Sequence, residues 1–260
     1  MVLTAVCAKI NAPIFSIKHF ETFQIAASLP IPQPSTLVGA LAYCYGVERM
    51  IGLKAQEAIK GLIVAARAKL MSEATAINPI ILRRFRVLDK GLEKSDFKRA
   101  YEAFHMSDFD TFRKIIENTL TDALYREYLT HATLKCIWVL RSPIDSKALY
   151  LIQRLGDTES LVNVIEAWSV DCKALSVNEI STDYPFAITS NVVDIRGGYT
   201  ILKMCDENRE SKLFYIPCKR DIRSTAGGIK YFVYTPTKVD IKLKNVQEVF
   251  AIDGEYIVRG

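Results

Sequence analysis

Pro30-Ile31-Pro32-Gln33-Pro34-Ser35-Thr36-Leu37-Val38-Gly39-Ala40-Leu41 is the stretch on which the fold turns. Its three alternate prolines hold their own φ near about −65° and push each preceding residue out of the helical region, so the chain approaches Ser35 extended. Ser35 then stands where an N-cap belongs. From Thr36 the apolar positions Leu37, Ala40, Leu41, Cys44 and Val47 recur at three- and four-residue steps, which predicts a helix laying one face on a sheet. Gly39 inside that helix costs about 1 kcal/mol relative to Ala, and either close packing or an approaching ligand would explain it.

Upstream, residues 2–10 are rich in β-branched and small apolar residues and predict a buried first strand that continues past Pro13. Downstream, a helical segment over residues 54–61 runs into a strand over 62–68. A strand, helix, helix, strand opening predicts an α+β layer fold. Residues 72–92 hold Pro79, an apolar triplet and Arg83-Arg84-Phe85-Arg86, a loop or hairpin arm. Residues 93–129 show an amphipathic helical pattern, broken where Ser107 and Asp110 resemble a capping box with a shorter acid. A strand over 134–140, a helix over 146–155 capped by Ser146 and closed by Gly156, and a strand over 161–165 follow. After about residue 183, short alternating runs separated by Gly, Asn and Asp predict a mostly antiparallel β unit.

The chain has 260 residues, 50% hydrophobic and 24% charged, which excludes a disordered or collagen-like class and suits one large domain or two smaller ones. Lys and Arg exceed Asp and Glu by 34 − 29 = 5. Residues 60–90 carry that whole excess, with Lys60, Arg67, Lys69, Arg83, Arg84, Arg86 and Lys90 against Glu73 and Asp89. Six cysteines without a CxxC pair or a neighbouring histidine argue against zinc, and no cofactor is expected. The N-terminus lacks a signal-peptide pattern, and the uncharged residues 23–47 are interrupted by three prolines, so a cytoplasmic protein without membrane association is expected. Only three histidines and few glutamines allow a thermophilic source.

Four places hold chemistry. Amides at the helix start, with the Ser35 and Thr36 hydroxyls, could accept a phosphate, or the segment is a rigid strap and cap; no GxxxxGK P-loop is present. Arg83, Arg84, Phe85 and Arg86 with Lys90 set cations around a ring, suited to phosphates and one stacked base unless they form a solvated face. Lys18-His19-Phe20-Glu21 is where acid and base groups crowd, and it would serve metal-independent RNA cleavage or backbone binding equally. Two Gly-Gly stretches, at 197–198 and 227–228, read as hairpin turns, and the neighbouring Arg196, Arg220, Arg223 and Lys230 permit a backbone-contacting loop.

The first strand, the PxPxPSTLxGAL strap and helix, Asp122-Ala123-Leu124-Tyr125-Arg126-Glu127-Tyr128, and Arg154-Leu155-Gly156-Asp157-Thr158-Glu159-Ser160-Leu161 together resemble the Cas-five family of CRISPR-associated RAMP proteins, archaeal subtype I-A in flavour. The resemblance implies an RRM-like (ferredoxin-like) domain over residues 1–180 with a thumb inserted at about 72–132, then a small, mostly antiparallel β domain over 181–260. It implies a subunit of a type I interference (Cascade) complex that grips the 5′ handle of the crRNA and caps the filament of backbone subunits. Its neighbours would be the backbone subunit and the large or small subunits, with no metal and no small-molecule substrate. The RNA-binding set carried over is Lys18, His19, Ser35, Thr36, Arg83, Arg84, Phe85, Arg86, Lys90 and Arg126. One branch of the family cleaves precursor crRNA with a Tyr, Lys and His cluster. That cluster does not map onto this chain, so no catalytic residue is assigned. The alternative is a metal-independent endoribonuclease built on His19, Lys18 and a tyrosine such as Tyr43 or Tyr45. The first strand also lacks an RNP-like aromatic pair, which points to recognition through thumb, loops and backbone contacts.

Overall fold

The computed structural model describes residues 3–18, 25–85, 94–156, 160–228 and 230–258. Strand β1 (Leu3–Phe15) opens the chain; Ala5, Val6, Cys7, Ala8, Ile10 and Ala12 are all buried. Burial on both faces is why this strand reads as an apolar run and not as an alternation. After the short β2 (Ile25–Ala26), the proline strap delivers helix α1 (Pro34–Arg49), α2 (Lys54–Leu62) follows, and β3 (Ile63–Leu70) and β4 (Ala74–Phe85) run on from it. Helices α3 (Lys94–His105) and α4 (Phe109–Ile115) and a π turn at Ile116–Leu120 lead into β5 (Thr121–Leu140). A 3-10 segment, Ser146–Leu151, precedes β6 (Asn163–Thr182). The remaining chain is strands: β7 (Phe186–Ala187), β8 (Val192–Gly197), β9 (Thr200–Cys205), β10 (Ser211–Ile216), β11 (Cys218–Ser224), β12 (Lys230–Pro236), β13 (Val239–Ile252) and β14 (Glu255–Val258).

The fold is α+β around one large antiparallel sheet. On one edge of β5 lies β1, from Thr4 opposite Leu140 to Phe15 opposite Leu129. On its other edge β3 pairs with the C-terminal part and β4 with the N-terminal part, so β3 and β4 line one strand in succession. β6 pairs antiparallel with the free edge of β1. Strands after residue 181 distribute widely: β11 and β12 extend the sheet beyond β4, β13, β14 and β8 extend it beyond β6, and β7, β10 and β9 form a separate three-stranded sheet. Every pairing among them is antiparallel.

Both faces of the central strands are covered. On one, Leu37, Leu41 and Cys44 of α1 meet Ala8, Ile10, Cys136 and Trp138 in the main core, which also takes in Phe214 and Ile216 of β10. Trp138 is fully buried, and its Nε1 donates to the Leu37 carbonyl at 2.9 Å, tying helix to sheet. On the other, Ala5, Cys7, Ala65, Ile137 and Val139 pack beneath Tyr184, Phe250, Ile252 and Ile257. No helix among the described residues is long and apolar enough to cross a membrane.

Several local expectations are corrected. The N-cap of α1 is Gln33, with Pro34 in the first turn and no side-chain cap, because a proline without an N–H fits the position whose amide has no helical partner. Ser35 therefore lies inside the helix. Ser107 adopts a left-handed φ of 59°, and Asp108 caps α4 by accepting from the Thr111 amide at 3.1 Å. Residues 121–129, expected helical, are strand: β4 pairs with most of them along one edge, and β2 at 125–126 and β1 at 129 add partners on the other, which outweighs their amphipathic spacing. The segment after Pro143 is a short 3-10 turn capped by Asp145, not a helix reaching residue 155.

Under the β14 hairpin, Lys69 and Lys135 face each other in register, both nearly buried. Glu255 answers both, at 2.7 Å from Lys69 Nζ and 2.8 Å from Lys135 Nζ, and accepts from Tyr184 Oη at 2.7 Å. Asp183 lies 2.5 Å from Lys69 Nζ. Burial pushes the Glu255 carboxyl up, but the hydrogen bonds from Lys135, Lys69 and Tyr184 overcome it and hold its pKa below the ordinary value. Such a group contributes stability above its unfolded pKa and loses it as pH falls through the folded value. Glu255→Gln, which leaves two ammonium groups facing each other, is expected to cost about 3 kcal/mol in urea unfolding at pH 7. The cost should shrink toward acidic pH as the wild-type carboxylate protonates; equal urea midpoints for the two proteins at pH 7 would dismiss this lock.

Candidate functional site

The strap and the 152–156 segment border a groove on the helix side of the sheet. Thr36, Gly39, Ala40 and Tyr43 of α1 form one wall and Gln153, Arg154 and Gly156 the other, around a volume of about 530 Å³. Leu29 and Ile31 sink the strap into the core, and Gln33 Oε1 accepts from the Cys205 amide at 3.0 Å, so a β9 residue holds the helix start. Tyr43, Arg154 and Lys18 are exposed, and among the described residues neither cation makes an ion pair.

A hydrogen-bonded clamp adjoins the groove at Gly156. Ser160 Oγ accepts from the Ser16 amide and donates to its carbonyl, both at 2.9 Å. Ser28 Oγ accepts from the Ile17 amide at 3.0 Å, and the buried Glu127 accepts from the Ser28 amide at 2.8 Å. Gly156 has φ +101°, and a Cβ there would stand 2.5 Å from Ile17 Cγ1. These contacts give Gly156 and Ser160 of the RLGDTES element, and Glu127 of the stretch before the strong strand, a physical role: they fix the ends of the 16–28 segment.

Gly39 is exposed, and nothing lies within 4 Å of the Cβ it lacks. The close approach between α1 and α2 occurs at Gly46, where a Cβ would meet Ala55 Cβ at 3.0 Å. Packing is therefore not the reason for Gly39, and the space over it belongs to the groove.

Of the sequence-derived residues, Thr36 and Lys18 come to this end of the molecule, with Lys18 joined through a backbone bridge to Ser28. Ser35 turns instead to a neighbouring groove with Gln56, Lys60, Asn208 and Arg209. Arg126 sits half-buried on β5 opposite Ala26. Arg83, Arg84 and Phe85 occupy the distal end of β4, opposite Ala123, Asp122 and Thr121. His19, Arg86 and Lys90 lie outside the described residues. Arg154 and Gln153 escaped the sequence reading because nothing local marks them; the glycine and serine of their motif were the available signal.

Two cations of the basic stretch serve the fold instead. Arg67, 1% exposed, pairs with Glu207 at the β9–β10 turn, donates to the Ala66 carbonyl at 2.8 Å and lies over the Phe214 ring. Lys69 belongs to the Glu255 cluster. Among the described residues no group of His, Cys, Asp and Glu could hold a metal ion. The six cysteines are free, and burial pushes the Cys7 and Cys44 thiols up to about 12 and Cys218 to about 11, which keeps them protonated and unreactive near neutrality.

Two glycine substitutions should move stability in opposite directions. Gly39→Ala is expected to stabilise by about 1 kcal/mol, since it removes helix-interior glycine and meets open space. Gly156→Ala is expected to destabilise by about 1–3 kcal/mol through its left-handed backbone and the Ile17 clash. Thermal unfolding of the two variants checks both, and a lower melting temperature for Gly39→Ala would show that the space is occupied by the protein.

Residues 5–155, from β1 through the arm to the groove's second wall, match the family model described as CRISPR-associated protein (Cas_Cas5). The chain is 30% identical over 212 residues to a CRISPR-associated protein Cas5 of Thermoproteus tenax, covering 80% of this chain and 82% of that one. It is 29% identical over 192 residues to a CRISPR-associated protein Cas5 of Methanocaldococcus jannaschii, 66% of each. A crystal structure of a CRISPR protein from Archaeoglobus fulgidus covers 98% of both chains with a TM-score of 0.62 at 18% identity, a likeness of fold. With more than half of its length matched to the family model and a curated relative matched over most of both chains, this protein belongs to the Cas5 family of CRISPR-associated proteins.

Proposed function

We propose that the chain is a non-catalytic crRNA-binding subunit of a type I interference (Cascade) complex, gripping the 5′ handle and capping the filament of backbone subunits. The order β3-β5-β1-β6, with α1 and α2 between β1 and β3, supports an RRM-like core, and the β4–β5 hairpin with its helices supports a thumb at about residues 72–132. The archaeal sources of its two relatives support subtype I-A.

The observation that carries the reading is the covered sheet face. In an RRM-like domain, single-stranded bases stack on that face. Here Tyr184, Phe250, Ile252 and Ile257 occupy it. RNA is thereby directed to the arm and the helix-side groove. Arg67 and Lys69 are neutralised inside the fold, so the cations of residues 60–90 left for a partner are Lys60, Arg83, Arg84, Arg86 and Lys90, of which Arg83 and Arg84 lie at the distal end of β4. Met50 and Leu53, 91% and 87% exposed at the α1–α2 turn, support a protein neighbour there.

The test is binding of a labelled repeat-derived 5′ handle by the full chain, with and without its candidate backbone subunit, across a salt series in EDTA, with the RNA run on a gel afterwards. Intact, handle-selective RNA is the expected outcome. Arg83→Ala with Arg86→Ala should weaken binding about tenfold or more and reduce the salt slope by about 1.4, the single-strand value for two phosphate contacts. Unchanged affinity and slope would remove the arm from the site. A single cut abolished by His19→Ala would instead establish the endoribonuclease.

A further inference from the structure

We propose that the β11–β12 hairpin is a second RNA-contacting element, holding the phosphodiester backbone of the strand that the arm grips; this rests on the RNA-binding reading above. The hairpin is joined to the arm by main-chain pairing, Phe232 opposite Ala76 and Tyr234 opposite Ala74. Because that pairing is antiparallel, its turn at residues 225–228 points the way β4 runs, toward Arg83. One sheet thus carries both basic elements.

The side chains suit phosphate. Arg220 is exposed, with its guanidinium 3.7 Å from the centroid of the Phe232 ring and 5.9 Å from that of Tyr234. Stacking fixes the plane of the guanidinium and leaves its N–H edge toward solvent, so little side-chain freedom is lost when it meets an oxyanion. Lys230 is exposed on the same face of the hairpin, whereas Lys219, one residue before Arg220 on β11, is exposed on the opposite face with its stem over Gly198; among the described residues none of the three makes an ion pair. Residues 218–230 carry Lys219, Arg220, Arg223 and Lys230 against Asp221, and with Arg223 answered by Glu73 of the β3–β4 bend the local balance is 4 − 2 = +2. At the turn, Gly228 has φ +77° with nothing within 4 Å of a Cβ, so a ribose-phosphate backbone can approach the main chain.

Arg223 has a different part. It pairs with Glu73 at 2.7 and 3.1 Å, and Thr235 Oγ1 donates to the same carboxylate at 2.8 Å. The Arg223 hydrogen bonds hold Glu73 below the ordinary carboxylate range. Glu73 lies in the bend between β3 and β4, so this contact locks the hairpin to the arm's root; Arg223 is a positioning residue. Charge complementarity to a polyanion, a preorganised guanidinium and shared sheet geometry select RNA over an apolar protein partner.

The experiment compares the double variant Arg220→Gln with Lys230→Gln, and separately the double variant Arg83→Ala with Arg86→Ala, in the full chain. Each is titrated with a single-stranded repeat-derived RNA that extends past the handle, over a salt series. The Arg220 and Lys230 variant is expected to bind about tenfold more weakly, with a slope reduced by about 1.4 and an unchanged melting temperature. Glu73→Gln should give a smaller loss of affinity with the slope nearly kept, since it loosens the hairpin without removing phosphate contacts. If the arm variant loses affinity and the hairpin variant does not, this proposal falls while the function stands; if neither loses affinity, both fall. A loss confined to single-stranded DNA of the same sequence would also overturn it.

Discussion

The structure depends on the pairing of one strand. β5 is 20 residues long, about 66 Å at the usual rise, and its backbone groups find partners on both edges for most of that length. Its C-terminal part is the centre of the domain between β1 and β3, and its N-terminal part is the spine of the arm beside β4. Because no loop separates the two parts, one strand runs from the core into the arm.

The second constraint is that both faces of the C-terminal part of β5, residues 134–140, are covered. The helix side is filled by α1, the strap and β10, the other by Tyr184 and the strands at the end of the chain. Two lysines on the second face would be intolerable there alone, and Glu255 and Asp183 make them tolerable. A sheet closed in this way has no open face over its central strands. On the β11–β12 hairpin, Arg220 and Lys230 are exposed on one face.

Small residues set the geometry where charge does not. Ser16, Ser28 and Ser160 cross-brace the ends of one segment, and Gly156 lets the 152–156 wall approach Ile17. Gly46 serves helix packing, and Gly39, on the same helix, leaves open a surface that any larger residue would partly fill.

The sequence by itself determined the α+β class, the extended strap, the helix after it, the positions of most strands and the family, because proline, three-four spacing and two-residue alternation act locally. It also located the basic arm. Tertiary structure alone decided that residues 121–129 are strand, since pairing with the distant β4 outweighs local helical spacing. It decided that Arg67 and Lys69 are internal ions, since their carboxylates come from residues more than a hundred positions away. It brought Arg154 opposite Thr36 and Tyr43, and Arg220 beside the arm, because the sheet joins segments that no local pattern connects.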